Sequence, residues 1–226
     1  MKKLREELDS IDVIRAYVEQ MTINDPYPQF TIEPEIVKYA SWLNGLMPER
    51  TKRIVEKVKG QQGWIGQELF NGLLQQFKIP NVYANPLYEH MTRMRQINGL
   101  HFDFIVPHMP ERMRIISVKT IPEGTKYVRF MANVKSWKDE AHDIAVVVKI
   151  DSLEQYKAHI VGWLYADEVE ELPIYDFGIG EAYWTYLDPD MVDENKESSP
   201  ELKKLNPCTS LISELLKGGL YPLCSH

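Results

Sequence analysis

The spacing of apolar residues divides the chain into a helical first third and a strand-rich remainder. In residues 2–21, apolar side chains recur at steps of three and four, which is the spacing of one face of an α-helix. The same spacing predicts a helix over residues 35–46 and a stronger one over residues 64–77. Residues 49–59 are basic and helix-prone, and two glycines separate them from the stronger helix.

Beyond residue 80 the period of the pattern changes from 3.6 to 2, which is typical of strands that bury one face. Turn signals such as Asn98-Gly99 and Pro122-Glu123-Gly124 bound the predicted strands. The strands are predicted over residues 82–87, 100–106, 113–121, 127–134, 144–150, 159–163 and 181–187, and short helices over 167–172 and 210–217. The expected fold class is therefore α/β or α+β, with a mixed central β-sheet flanked by helices.

Three regions are expected along the chain: a helical N-terminal region (1–60), an α/β core (61–190) and a C-terminal loop and helix (191–226). At 226 residues the chain can bury one sizeable core with appendages. No apolar run approaches the ~20 residues that span a bilayer, and the first residues lack the apolar segment of a secretory signal. With only two cysteines, Cys208 and Cys224, these features predict a cytoplasmic protein without a membrane partner.

The net charge of −7 is distributed unevenly. Residues 50–59 hold five basic residues and one acid, and residues 111–138 hold seven basic residues and two acids. Residues 151–201 hold fourteen acids and two lysines. Such a chain can present a basic face to phosphate groups and keep the acidic third away from them. A solvated surface with uneven charge explains the same counts equally well.

The candidate chemistry lies between His101 and Thr120, where the pattern predicts two strands joined by a proline-bounded turn. Alternation divides the second strand into one face with Met113, Ile115, Ser117 and Lys119 and another with Arg114, Ile116, Val118 and Thr120. Asp103, in the first strand, is then expected to face Lys119 on its neighbour. A carboxylate beside an ammonium group is a candidate binding site for a divalent cation and a water molecule.

These motifs resemble those of the PD-(D/E)XK phosphodiesterase superfamily over roughly residues 63–150. The core of that family is a helix with a glutamate, a hairpin with a metal-binding aspartate, and a strand that ends in acid-x-lysine. Here the segment GWIGQELF contains Glu68 in the helix, and Asp103 takes the place of the metal aspartate. Ser117-Val118-Lys119 takes the place of the acid-x-lysine strand. The resemblance implies a restriction-endonuclease-like core.

The resemblance also implies a function, the hydrolysis of DNA phosphodiester bonds with Mg²⁺ or Mn²⁺, as in restriction, recombination or phage DNA processing. The implied metal ligands are Asp103, Glu68 and the carbonyl of Val118. Lys119 would orient the attacking water or stabilise charge on the phosphate, and Ser117 completes the implied catalytic set. DNA is the implied partner, and a homodimer that cuts both strands is an expectation at the level of the family.

The chain departs from the family pattern at two points, because Ser117 stands where the second acid belongs and no proline precedes Asp103. The candidates for a replacement acid are Glu68 first, and then Glu123, Glu140 and Asp143. If none of them reaches the site, the alternative function is a non-catalytic module that binds nucleic acid or protein on the same fold.

Other basic and aromatic residues are candidates for contacts with DNA. Those that could reach the phosphate backbone are Arg93, Arg95, Arg112, Arg114, Lys126, Tyr127 and Arg129. Trp137 and Tyr88 could stack on bases, although core packing is the commoner fate of such residues. Cys208, Cys224 and His226 lack the paired spacing of a zinc site.

Overall fold

The structure is a computed structural model that describes residues 29–46, 57–84, 102–108, 112–125, 129–155, 157–178, 180–187 and 205–218. Its strands are β1 (Gln29–Thr31), β2 (Val82–Tyr83), β3 (Phe104–His108), β4 (Arg112–Ile121), β5 (Arg129–Asn133), β6 (Ile144–Ser152), β7 (Lys157–Tyr165), β8 (Ile174–Asp176) and β9 (Glu181–Tyr186). Its helices are α1 (Pro34–Leu46), α2 (Lys57–Gln76), α3 (Val134–Asp139), α4 (Ala166–Glu170) and α5 (Cys208–Gly218).

Six of these strands form a mixed sheet in the order β1-β7-β6-β4-β3-β2. Strands β4 and β6 are parallel, whereas the other neighbouring pairs of this sheet are antiparallel. The connection from β4 to β6 passes through β5 and α3, and β5 belongs to a second, antiparallel sheet in the order β5-β9-β8. The expected mixed central sheet with flanking helices is confirmed.

The central sheet buries side chains on both faces. Because successive residues of β6 point to opposite faces, Val146 and Val148 join one core with α2 and α5, while Ala145 and Val147 join another with the small sheet and α3. This double burial explains why β6 is an almost continuous apolar run and not an alternating one.

Helix α2 is longer than the pattern predicted, because it runs without interruption through Gly60 and Gly63. A glycine costs about 1 kcal/mol relative to alanine inside a helix, so the packing of α2 against the central sheet outweighs local preference. Strands β1 and β8 and helix α3 were not predicted, since each is too short to show a period. The helix predicted for residues 2–21 lies outside the described residues.

Within the described ranges, the structure contains no helix that is both long enough and apolar enough to cross a membrane. The 20-residue helix α2 contains several glutamines, a glutamate and an asparagine along its length.

A partly buried ion pair joins α5 to the central sheet. Arg114 donates from Nη2 to Glu214 Oε1 at 2.6 Å, and the two side chains are 15% and 10% exposed. The guanidinium group also lies over the ring of Tyr165, 5.6 Å from its centroid. Arg114, expected as a candidate for phosphate contacts, therefore forms an internal bridge in this structure.

Arg114→Met is expected to lower the free energy of unfolding by about 3 kcal/mol, because it removes the cation that compensates a buried carboxylate. Lys135→Met is the control, since the Lys135–Asp139 pair of α3 is exposed to solvent and its loss should leave the stability close to that of the wild type. Urea unfolding measures both variants. Similar losses in the two variants would contradict the structural role of Arg114.

Helix α2 approaches β4 most closely at Gly66. A Cβ atom at this position would overlap Thr120 Oγ1 and lie 3.2 Å from Thr120 Cβ. At Gly72, in the same helix, a Cβ atom would meet no atom within 4 Å. Gly66 therefore sets the spacing between α2 and β4, and the next residue of the helix, Gln67, depends on that spacing.

Gly66→Ala is expected to destabilise the protein by about 1–3 kcal/mol through this overlap. Gly72→Ala is expected to stabilise it by about 0.5–1 kcal/mol, because alanine is the better helix former and the site is open. Thr120→Ala added to Gly66→Ala should restore part of the loss. Thermal unfolding compares the three variants with the wild type. If Gly66→Ala stabilises the protein as much as Gly72→Ala does, α2 does not pack tightly against β4 at Gly66.

Candidate functional site

Asp103 lies where β3 stops pairing with β4. Its N–H donates to the carbonyl of Ile116 at 3.3 Å. Beyond this point its carboxylate replaces the partner strand, because Oδ2 accepts the N–H of Val118 at 2.6 Å. Oδ1 accepts from Gln67 Nε2 of α2 at 2.8 Å. The carboxylate is thus fixed at the edge of β4, between the strand and the helix.

Ser117 and Lys119 flank this carboxylate from one face of β4. Ser117 is 3% exposed and its hydroxyl donates to Asp103 Oδ2 in a long hydrogen bond of 3.4 Å. Lys119 is partly exposed, and its Nζ lies 5.9 Å from the ring centroid of Trp137. The structure therefore brings Asp103, Ser117 and Lys119 together across the hairpin.

The charge of Asp103 is only partly compensated. Burial raises the pKa of Asp103 above its ordinary value of 3.8, because desolvation disfavours the ionised form. The ammonium group of Lys119 is the strongest influence that lowers this pKa, followed by the N–H of Val118. His142 and the hydroxyl of Ser117 lower it further, yet the net shift is upward. Such a carboxylate would gain free energy from a bound cation.

Glu68 is held beside the site by Tyr83, whose hydroxyl donates to Glu68 Oε1 at 2.5 Å. Tyr83 pairs with Phe104 in the sheet and stacks on its ring with a centroid distance of 4.5 Å. Burial and then the charge of Glu68 raise the pKa of Tyr83, and the charge of Asp103 raises it too. The Tyr83 hydroxyl therefore keeps the proton that it donates to Glu68.

Two of the other candidate acids serve backbone groups elsewhere. Asp143 Oδ2 accepts the N–H of Ile115 at 2.8 Å, and Glu123 Oε2 accepts the N–H of Leu153 at 3.1 Å. Glu140 belongs to a pair with a histidine. Among the residues that the structure describes, no group of three or more His, Cys, Asp or Glu side chains is arranged to hold a metal ion.

His142 is a member of this region that the sequence pattern did not single out. It is 7% exposed, and its Nε2 lies 2.8 Å from Glu140 Oε2. Its ring centroid lies 4.7 Å from that of Trp137, the indole that Lys119 also approaches. The chain reverses after α3 through Ala141, which has a left-handed φ of 47°, and this turn packs the imidazole against the indole. A glutamate two residues before a histidine at the start of a buried strand was the available signal.

The aromatic and basic candidates for DNA contacts have mixed outcomes. Trp137 is 2% exposed and packs in the core, so it does not offer a face to a base. Arg129 lies over the ring of Phe177, 4.8 Å from its centroid. The candidates that lie outside the described residues are Tyr88, Arg93, Arg95, Lys126 and Tyr127, and the side chain of Arg112 is not described either.

Cys208 is buried at the start of α5, and burial raises the pKa of its thiol to about 12. Its side chain packs in the core that α2 and α5 form with the central sheet. Cys224 and His226 lie outside the described residues.

No protein-family model, curated protein or solved structure matches this chain. The functional assignment therefore depends on the geometry of the residues themselves.

Asp103→Asn is expected to stabilise the metal-free protein by about 1 kcal/mol at neutral pH, because it removes a partly compensated buried charge. The new amide keeps an oxygen for the N–H of Val118. Rotation of the Gln67 amide would present its Oε1, which has no hydrogen-bond partner among the described residues, to the new N–H group. Chemical unfolding measures the difference.

The stability that Asp103→Asn gains over the wild type depends on pH. Since the pKa of Asp103 is raised on folding, protonation stabilises the wild type as the pH falls through the folded-state value toward 3.8, so the advantage of the variant shrinks in acid. Asp143→Asn is the control, because that carboxylate also accepts a strand N–H, from Ile115 at 2.8 Å. If Asp103→Asn is less stable than the wild type at neutral pH, the charge of Asp103 is fully compensated by its surroundings and this prediction is wrong.

Proposed function

We propose that this protein is a metal-dependent DNA nuclease that hydrolyses phosphodiester bonds at Asp103 and Lys119. The observation that carries the proposal is the partly compensated Asp103 carboxylate at the edge of β4, with the ammonium group of Lys119 beside it. The order of the elements supports it as well: α2 carries Gln67 and Glu68, the β3–β4 hairpin carries Asp103, and β4 carries Lys119.

The residues fit a hard divalent cation such as Mg²⁺ or Mn²⁺. The Asp103 carboxylate supplies oxygen ligands, and Glu68 supplies a second carboxylate near the same Tyr83 hydroxyl. The N–H and C=O of one strand residue point to the same edge, so the carbonyl of Val118 is directed toward Asp103 like its N–H. A cation at this edge would neutralise a nonbridging phosphate oxygen and lower the pKa of a bound water.

The side chains around Asp103 have separate tasks in this proposal. Gln67 and the N–H of Val118 hold the carboxylate in one orientation. Lys119 stands on the Ser117 side, where a compact cation orients a water molecule and stabilises negative charge on the phosphate. The small Ser117 side chain leaves room on this face, although its hydroxyl is a weaker ligand than the acid of the family pattern.

A non-catalytic module is the second candidate function. The observation that favours it is that the described residues contain no cluster of three metal-binding side chains, and that Ser117 replaces the second acid. In this case Asp103 and Lys119 would recognise a nucleic acid without cleaving it. Cleavage and binding therefore have to be measured on the same preparation.

The proposal predicts that the wild type nicks supercoiled plasmid DNA with Mg²⁺ or Mn²⁺ and stops when EDTA removes the metal. Lys119→Met should lower the rate by about 10²–10³-fold, because it removes a cation aimed at developing charge. Asp103→Asn should lose cleavage despite its greater stability. Lys135→Met, on the exposed side of α3, is the matched lysine control and should cut like the wild type.

Binding of labelled DNA by the same proteins separates the two functions. A wild type that binds DNA without cutting any linear, supercoiled or branched substrate would support the module and overturn the nuclease. Cleavage that survives both Asp103→Asn and Lys119→Met would show that the activity belongs to another site.

A further inference from the structure

His142 contains a buried nitrogen atom without a partner. Its Nδ1 is buried and makes no hydrogen bond within the described part of the chain. Leaving a buried polar atom unsatisfied costs about 1–3 kcal/mol, so a native protein that keeps such an atom usually has a use for it.

Glu140 fixes the state of this imidazole. With Nε2 at 2.8 Å from Glu140 Oε2, the proton of the neutral ring belongs on Nε2, where it is donated to the carboxylate. The lone pair then lies on Nδ1. A carboxylate that accepts one ring N–H and leaves the other nitrogen open is the arrangement that surrounds most metal-binding histidines.

His142 also lies on the same side of the central sheet as Lys119. The indole of Trp137 packs against the imidazole at 4.7 Å and against the Lys119 ammonium group at 5.9 Å. When this ring is protonated, its charge lowers the pKa of Asp103, so the imidazole and the carboxylate are within electrostatic range of each other.

We propose that Nδ1 of His142, oriented by Glu140, is a ligand of the same cation as Asp103 and the carbonyl of Val118. This inference rests on the proposed function. The imidazole of His142 would take the role of the second acidic ligand, which is missing because Ser117 occupies its position. Asp103, His142 and the carbonyl of Val118 are then the direct ligands, and Glu68, which is held by Tyr83, acts through a bound water.

The chemistry of this ligand set defines a metal preference. Carboxylate and carbonyl oxygens suit Mg²⁺ and Mn²⁺, whereas an imidazole favours the transition metals and contributes little to Mg²⁺. Mn²⁺ and Co²⁺ are therefore expected to bind the wild type more tightly than Mg²⁺, and the difference should depend on His142.

The test titrates the metal-free, full-length chain with Mn²⁺, Co²⁺ or Mg²⁺ alone and measures affinity by calorimetry. His142→Gln keeps an amide donor toward Glu140 and replaces the imidazole nitrogen by an amide oxygen, so Mn²⁺ and Co²⁺ should bind about 10–100-fold more weakly while Mg²⁺ affinity changes little. His159→Gln is the control, because His159 makes a similar pair with Asp151 at 2.7 Å, on the β6–β7 hairpin.

Electron spin-echo spectroscopy of Mn²⁺ bound to the wild type supplies a readout that needs no variant. Nitrogen coupling from a ligated imidazole is expected, and it should disappear in His142→Gln and persist in His159→Gln. Glu140→Gln should keep the coupling with weaker binding, which guards against a His142 variant that does not fold.

The outcomes separate the inference from the proposed function. If Mn²⁺ binds without nitrogen coupling and His142→Gln binds it like the wild type, while Asp103→Asn does not bind it, the histidine ligand is overturned and the nuclease site stands. If the wild type binds none of the three cations, both proposals are overturned.

Discussion

The hydrogen bond from the N–H of Val118 to the carboxylate of Asp103 links the fold of this protein to its proposed chemistry. It ends the β3–β4 ladder with a charged side chain in place of a backbone carbonyl, at the point where α2 crosses the strand. The N–H of Val118 thereby has a hydrogen-bond acceptor, and that acceptor is a carboxylate whose ionised form is disfavoured by burial. A bound cation would relieve that cost, so the stability of the hairpin and its affinity for metal are expected to oppose each other in the unliganded protein.

The sequence predicts most of the framework because the framework is periodic. The alternation in β4 correctly separates Ser117 and Lys119 from Val118, and the apolar run of β6 correctly predicts a buried strand. Periodicity cannot reveal groups brought together by tertiary structure. Gln67 reaches Asp103 only because Gly66 lets the helix approach the sheet, and His142 reaches Trp137 only through the turn at Ala141.

Similar residues in similar local sequences have different environments here, which limits what composition can say about function. Asp103 and Asp143 both precede an apolar strand and both accept a strand N–H, yet Asp103 is also bound by the side chain of Gln67 from α2. Arg114 belongs to the basic middle of the chain, but its guanidinium group forms a partly buried ion pair with Glu214. Local charge counts therefore overestimate the basic surface that could meet phosphate groups.

The pairing of Gln29 in β1 with His159 in β7 has a consequence for folding. Strands far apart in the chain must pair with each other, and the parallel pairing of β4 and β6 leaves β5 and α3 in the connection between them. Contacts of such long sequence separation make folding slow. The β3–β4 hairpin can bring Asp103 and Lys119 together locally, but Gln67 comes from a separate helix, so a partly folded chain lacks the contact that fixes the carboxylate in one orientation.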